Sequence, residues 1–296
     1  MDANSNVMKH VLLTPLLICW LAGSTIWAQP GQGPAVAGDS LYTVYLLSVV
    51  APQPDVAHYV NAFAHLLTGT PYAAGTLDRD TVERLQPGLQ ETDCTIFVET
   101  VLALARCAAQ GENAWEFYCQ QLTGLRYRNG HQEGYASRLH YFSDWIADNE
   151  RRGLVQDITR SLGGLPDTLH LDFMSRHADR YPALRRNPSL TDSIAAHEQR
   201  LSGTVVYYLP AERLDSATLA GIHSGDIIAF TTGIAGLDIA HVGIALQAGG
   251  ETRLIHASST RGRVVIEEQP LNTMIAANRR FTGIRVVRPL SPLRRE

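Results

Sequence analysis

Glu91-Thr92-Asp93-Cys94-Thr95-Ile96-Phe97-Val98-Glu99-Thr100 marks the point where an irregular segment gives way to an apolar helix. Phe97, Val101, Leu104, Ala105 and Ala108 recur at helical spacing and make one apolar face, with Asp93 or Thr92 placed to cap the first turn. The spacing predicts a core helix whose first turn carries a thiol. Unpaired N–H groups at a helix start carry partial positive charge, and such a field favours thiolate, the form that attacks carbonyls.

On the N-terminal side, Val56, Val60, Phe63 and Leu67 mark another helix, which Gly69 stops. On the C-terminal side, from about 111 to 201, helical stretches at His140–Asn149, Asp172–Arg180 and Thr191–Leu201 alternate with short connections. The last third is strand-rich. Val205–Leu209, Asp226–Thr231, Ile239–Gln247, Arg253–Ser258, Val264–Glu267 and Gly283–Val287 all read as strands punctuated by turn residues. A helical half followed by an antiparallel sheet predicts an α+β fold in which the thiol helix packs on the sheet.

One hairpin in that sheet carries two histidines. Ala248-Gly249-Gly250-Glu251 is a natural turn, and its register sets His241 opposite Ser258 and His256 opposite Gly243. Side chains alternate across a strand, so both imidazoles face one side as diagonal neighbours, while Ala240, Val242, Ile244 and Leu246 fill the other. A turn shifted by one residue would send the two rings to opposite faces. If Cys94 meets the histidine face, the chemistry is that of a cysteine hydrolase. Cys94 attacks an amide carbonyl, His241 takes the thiol proton and gives it to the leaving amine, and His256 holds the His241 ring in its working tautomer. The Cys94 N–H is a candidate oxyanion donor, and the scheme needs no metal or organic cofactor.

The chain has 296 residues, 45% of them hydrophobic and 18% charged, with a formal net charge of −4. That length provides for a large buried core, and without a basic run the sequence offers no footprint for nucleic acid. Val11 to Trp27 is strongly apolar, follows Lys9-His10 and precedes Ala28-Gln29-Pro30. It predicts a secretory leader over 1–28, cut after Ala28, an exported (periplasmic or extracellular) protein, and no membrane association once the leader is gone. Residues 29–50 read as an N-terminal lead-in and 51–292 as a single domain with a helical insertion at about 111–201. Of four cysteines, Cys19 lies in the leader, which leaves Cys94, Cys107 and Cys119. An odd count in an exported protein points to a free thiol; Cys107 and Cys119 either pair or serve as small core residues. Neither the cysteines nor the eleven histidines show metal-ligand spacing.

Gly69-Thr70-Pro71-Tyr72-Ala73-Ala74-Gly75, then Asp93-Cys94, then His241-Val242-Gly243-Ile244 and Leu254-Ile255-His256-Ala257 together resemble the NlpC-type cell-wall hydrolases of the papain-like superfamily. Within it, Asp-Cys-Thr-x-Phe-Val-Glu is closest to the bacterial N-acetylmuramoyl-L-alanine amidase-like family. The resemblance runs from about Ala51 to Arg288. It implies a papain-like fold, a peptidoglycan fragment as substrate, and cleavage of the amide joining the muramic acid lactyl group to L-alanine. Cys94, His241 and His256 then take the triad roles, and Tyr72 stands near the oxyanion or substrate carbonyl, beside Asp93. The long insertion departs from minimal members of the superfamily. It holds Arg138, suited to a substrate carboxylate, with His140, Tyr141 and Trp145 suited to gripping or stacking on a sugar. Competing readings are a stem-peptide endopeptidase cutting after γ-D-glutamate and a noncatalytic wall-binding module.

Overall fold

The alternating pattern of the last third folds into an antiparallel sheet, onto which the apolar helices of the first half are packed. The computed structural model describes residues 34–79 and 82–292. The predicted leader at 1–28, and the first residues of the lead-in, lie outside the described residues. The helices are α1 (Pro34–Val49), α2 (Val56–Leu66), α3 (Cys94–Ala109), α4 (Trp115–Arg126), α5 (Phe142–Arg151), α6 (Phe173–Arg176), α7 (Pro182–Arg186), α8 (Pro188–Leu201), α9 (Ser216–Ala220) and α10 (Leu271–Ala276). The strands are β1 (Val155–Asp157), β2 (Leu165–Thr168), β3 (Val205–Pro210), β4 (Ile227–Thr232), β5 (Ile239–Ala248), β6 (Glu251–Ser258), β7 (Arg263–Ile266) and β8 (Phe281–Pro289). They run antiparallel in the order β2-β3-β8-β4-β5-β6-β7, with β1 also paired to β8.

Period-two alternation gives each central strand two apolar faces. Val242, Ile244, Ile255, Ala257 and Val264 pack on Phe97, Val98, Val101 and Leu102 of α3 in the main core. Ile228, Phe230, Leu254, Ile284 and Val286 pack on the other face with Leu271 and Ile275 of α10. Burying one such side chain contributes about 1.5–3 kcal/mol, so these contacts fix α3 against the sheet.

Two features depart from the sequence reading. The lead-in contains a helix: Leu46 and Leu47 of α1 are buried in the main core. The insertion is also no appendage. Trp115, Tyr118 and Leu122 of α4, Trp145 of α5 and Val155 of β1 join the main core, β1 and β2 extend the sheet, and only a third cluster around Met174, Leu184 and Ile194 belongs to the insertion's own helices. Strands as short as β1 and β2 have too few residues to display alternation, so no period marks them in the sequence.

Candidate active site

Asp93 caps α3, its carboxylate accepting the Ile96 N–H at 2.9 Å, and this cap fixes Cys94 as the first helical residue. The preceding segment is held from beneath. Arg126 donates to the Gln86 carbonyl at 2.5 Å, Arg138 pairs with Asp78 at 2.6 Å, and the Tyr127 hydroxyl donates to Glu83 at 2.9 Å. Tyr72 bridges to Thr92, which brings its ring close to the start of α3.

The second wall comes from β5. The Gly249-Gly250 turn, both residues at positive φ, sets Ala248 opposite Glu251 and Ile244 opposite Ile255, the register expected from the sequence. His241 and His256 consequently meet: Nε2 of His241 lies 2.6 Å from Nδ1 of His256, with the rings edge-on at 86°. Gly243 makes this possible. A Cβ there would sit 2.9 Å from the His256 Cβ, so the space left by the missing side chain is filled by His256 itself.

The route to the sulfur differs from the simple picture of a helix lying on the histidine face. Val242 and Ile244 pack toward α3, whereas His241 projects to the other side, toward Phe230 and Phe281. The groups converge at the first residues of β5, where a bulge sets Phe230 opposite His241 but Thr231 opposite Ile239. There the Val242 N–H reaches the Cys94 thiol, and Cys94 and His241 line one cavity of about 90 Å³ with Thr95, His140, Asp238 and Val242. On the other flank of His241 a wider cleft of about 460 Å³ includes His256, Glu267, Ser258, Arg280 and Phe281.

The electrostatics reverse one expectation. Burial pushes the Cys94 thiol up to about 12, and the Asp93 carboxylate adds to it; the hydrogen bonds from Val242 and Thr95 pull the other way and lose. Desolvation and a neighbouring negative charge therefore outweigh the helix-start field. His241 moves down to about 3, first because it is buried and then because His256 stands beside it. Both shifts run in the direction that favours a neutral thiol and a neutral imidazole.

The other residues singled out in the sequence fall in different places. The Tyr72 hydroxyl is held above its ordinary range by burial and then by Cys94 and Asp93, which places it within electrostatic reach of the thiol. Asp93 is the helix cap. His140 lines the Cys94 cavity, with Nε2 2.8 Å from the Tyr135 carbonyl oxygen and its ring against Tyr135. Arg138, Tyr141 and Trp145 do not present themselves to a ligand. Arg138 is buried between Asp78, Glu83 and the Tyr135 ring, Tyr141 is buried and donates to Glu198 at 2.6 Å, and Trp145 is fully buried against Phe142. Of the four residues that suggested ligand recognition, three are core or ion-paired, and His140 lines the Cys94 cavity. Cys107 and Cys119 are free thiols, Cys107 inside the main core.

Two residues at the site went unread in the sequence. Glu267, one residue beyond β7, places Oε1 2.8 Å from Nε2 of His256. The register that pairs His256 with Val265 puts Glu267 two residues further on the same face, so the second hairpin, followed through, does reveal it. Asp238 lies in the loop before β5, where it accepts the Ser143 N–H at 2.6 Å; burial raises its carboxyl and that bond opposes the rise. No periodicity marks it.

A family model described as N-acetylmuramoyl-L-alanine amidase-like matches residues 62–284. The chain is similar to a crystal structure of an N-acetylmuramoyl-L-alanine amidase from Bacteroides uniformis ATCC 8492, at 38% identity and a TM-score of 0.76, covering 79% of this chain and 98% of that one. A Bacteroides fragilis structure assigned provisionally as a xylanase is 42% identical with a TM-score of 0.73, covering 77% and 99%. A Legionella pneumophila protein of family DUF1460 shares the fold at 22% identity and a TM-score of 0.67, covering 88% and 96%. Comparison with curated proteins gives no match.

Proposed function

Because the chain belongs to the N-acetylmuramoyl-L-alanine amidase-like family, we propose that it is a cysteine amidase of the NlpC-type, papain-like class. It hydrolyses the amide between the lactyl group of N-acetylmuramic acid and L-alanine in peptidoglycan fragments, in the periplasm or outside the cell. The amidase name of the Bacteroides uniformis relative supports the reaction. The observation that carries the residue assignment is the His241–His256 hydrogen bond of 2.6 Å beside a cavity that His241 shares with Cys94.

In this mechanism Cys94 Sγ attacks the lactyl carbonyl carbon while Nδ1 of His241 takes the thiol proton. Negative charge develops on the carbonyl oxygen, where the Cys94 N–H at the helix start and the Tyr72 hydroxyl serve as donors. Collapse breaks the C–N bond, and His241 returns the proton to the L-alanine nitrogen, so a free peptide amine leaves and a thioester remains. Water then attacks the thioester, giving its proton to His241. The thiol leaves with that proton, and the muramic acid carboxylate departs. His256 keeps the His241 ring oriented through both halves.

The name of the Bacteroides fragilis relative raises glycoside hydrolysis as a second reading. That chemistry uses two carboxyl groups flanking the scissile bond. Among the described residues lining the Cys94 cavity, Asp238 alone is a carboxylate, and it is buried on the Ser143 N–H. The amidase reading is therefore preferred.

The test is mass spectrometry after incubation with a muramoyl-L-alanine peptide, with a stem tripeptide, and with xylan. Release of the peptide carrying a free L-alanine amine is expected from the first alone, with turnover abolished in Cys94→Ala and Cys94→Ser proteins that still fold. Cleavage after γ-D-glutamate would make the protein an endopeptidase, xylose oligomers would make it a glycosidase, and undiminished turnover in Cys94→Ala would end the nucleophile assignment.

A further inference from the structure

The hydrogen-bond chain at the site does not stop at His256. Glu267 Oε1 lies 2.8 Å from His256 Nε2, and His256 Nδ1 lies 2.6 Å from His241 Nε2. The carboxylate is held in place: the Glu267 N–H donates to the Leu254 carbonyl at 2.8 Å, and Arg261 Nη2 stands 3.9 Å from the other carboxylate oxygen. His256 and Glu267 are both largely buried, so the chain is shielded from water at its inner links.

A neutral imidazole has one N–H and one lone pair, so a row of two such rings has a direction. An ionised carboxylate only accepts. His256 must therefore carry its proton on Nε2 and present a lone pair at Nδ1. His241 must then donate from Nε2, which leaves its Nδ1 lone pair free. With a neutral, donating group at position 267 the whole row reverses, and Nδ1 of His241 becomes protonated and useless as a base.

We propose that Glu267 is a positioning residue of this site, whose carboxylate sets the direction of the His241–His256 hydrogen bond and so keeps Nδ1 of His241 available to take the Cys94 proton. The inference rests on the reading of Cys94 and His241 as nucleophile and base. No proton moves to Glu267 in the cycle; when His241 becomes imidazolium, Glu267 supplies the opposite charge one ring away. The charged groups facing this row are few. Arg261 comes from the β6–β7 turn, Arg280 lines the same cleft ahead of β8, and Phe230 and Phe281 supply the apolar wall.

The experiment uses the full chain with Glu267→Gln and Glu267→Asp. It measures kcat and KM against pH on the muramoyl-L-alanine peptide, and ¹⁵N–¹H NMR of the imidazoles. Gln is isosteric but neutral, with an amide that both donates and accepts, so the row loses its fixed direction. The expected result is a fall in kcat of at least about tenfold with KM little changed. The acid limb of kcat/KM should move to lower pH, because loss of the anion disfavours imidazolium; Glu267→Asp should restore the limb's position. In the wild type, the imidazole signals should show His241 protonated at Nε2 and His256 at Nε2. A wild-type kcat and pH profile in Glu267→Gln overturns the proposal, as does a wild-type His241 carrying its proton on Nδ1, a reading that stands whether or not the variants fold. Loss of turnover in Cys94→Ala together with normal Glu267→Gln kinetics defeats this inference alone. Full turnover in Cys94→Ala defeats the underlying reading.

Discussion

At the scale of single residues, the contest at Cys94 is between a helix-start field and desolvation. The field is worth a fraction of a kcal/mol to about 2 kcal/mol, whereas burial of a charge beside another charge costs more. The outcome is a thiol pushed up to about 12 next to an imidazole down to about 3. Both directions favour the neutral pair, and the pH dependence follows from their signs. Iodoacetamide modification of Cys94 should accelerate steadily from pH 7 to pH 10, since thiolate remains the minor species throughout. A plateau near neutrality would show a preformed thiolate. The acid limb of kcat/KM should lie below the ordinary imidazole value of 6.5, because His241 stays unprotonated, and competent as a base, as the pH falls through that range. That this thiol opens a capped apolar helix was legible in the sequence. Its protonation state was not, because desolvation depends on what covers the helix start.

At the scale of elements, α3 and the β5–β6 hairpin do most to bring Cys94 and the two histidines together. Asp93 has two separable effects on α3. As cap, it satisfies the Ile96 N–H; as anion, it raises Cys94. Asp93→Asn keeps a competent cap and removes the charge, so alkylation of Cys94 at pH 8 should become faster with little change in Tm. Asp93→Ala also loses the cap and should cost about 0.5–2 kcal/mol in urea unfolding. Slower alkylation in Asp93→Asn would contradict the assigned sign. The hairpin register was readable because Gly249-Gly250 leaves few turn geometries, and a period of two then carries each side chain to a fixed face. The bulge at Ala240 was not readable. It arises from how β4 pairs with β5, and it falls at the start of the strand, on the cavity that Cys94 and His241 share.

At the scale of the molecule, the insertion acts as a buttress. Glu99 of α3 and Arg126 of α4 form a fully buried pair at 2.7 Å, and the same arginine holds the Gln86 carbonyl in the segment that leads to Cys94. Removing one partner strands a buried charge, so Glu99→Ala should lose about 3–5 kcal/mol in urea unfolding and lower Tm by several degrees. A loss under 1 kcal/mol would show that the pair is dispensable. Arg138 repeats the arrangement with Asp78 and Glu83, which is why a residue suited by type to a substrate carboxylate is occupied inside the protein. The sequence by itself determined the α+β plan, the capped thiol helix and the pairing of two histidines, because each depends on local period, turn chemistry or a cap. The tertiary structure alone decided which way burial shifts Cys94 and His241, and that Tyr141 and Trp145 are core. Those outcomes depend on which distant surfaces exclude water from which side chain, and that information is held by no single stretch of the chain.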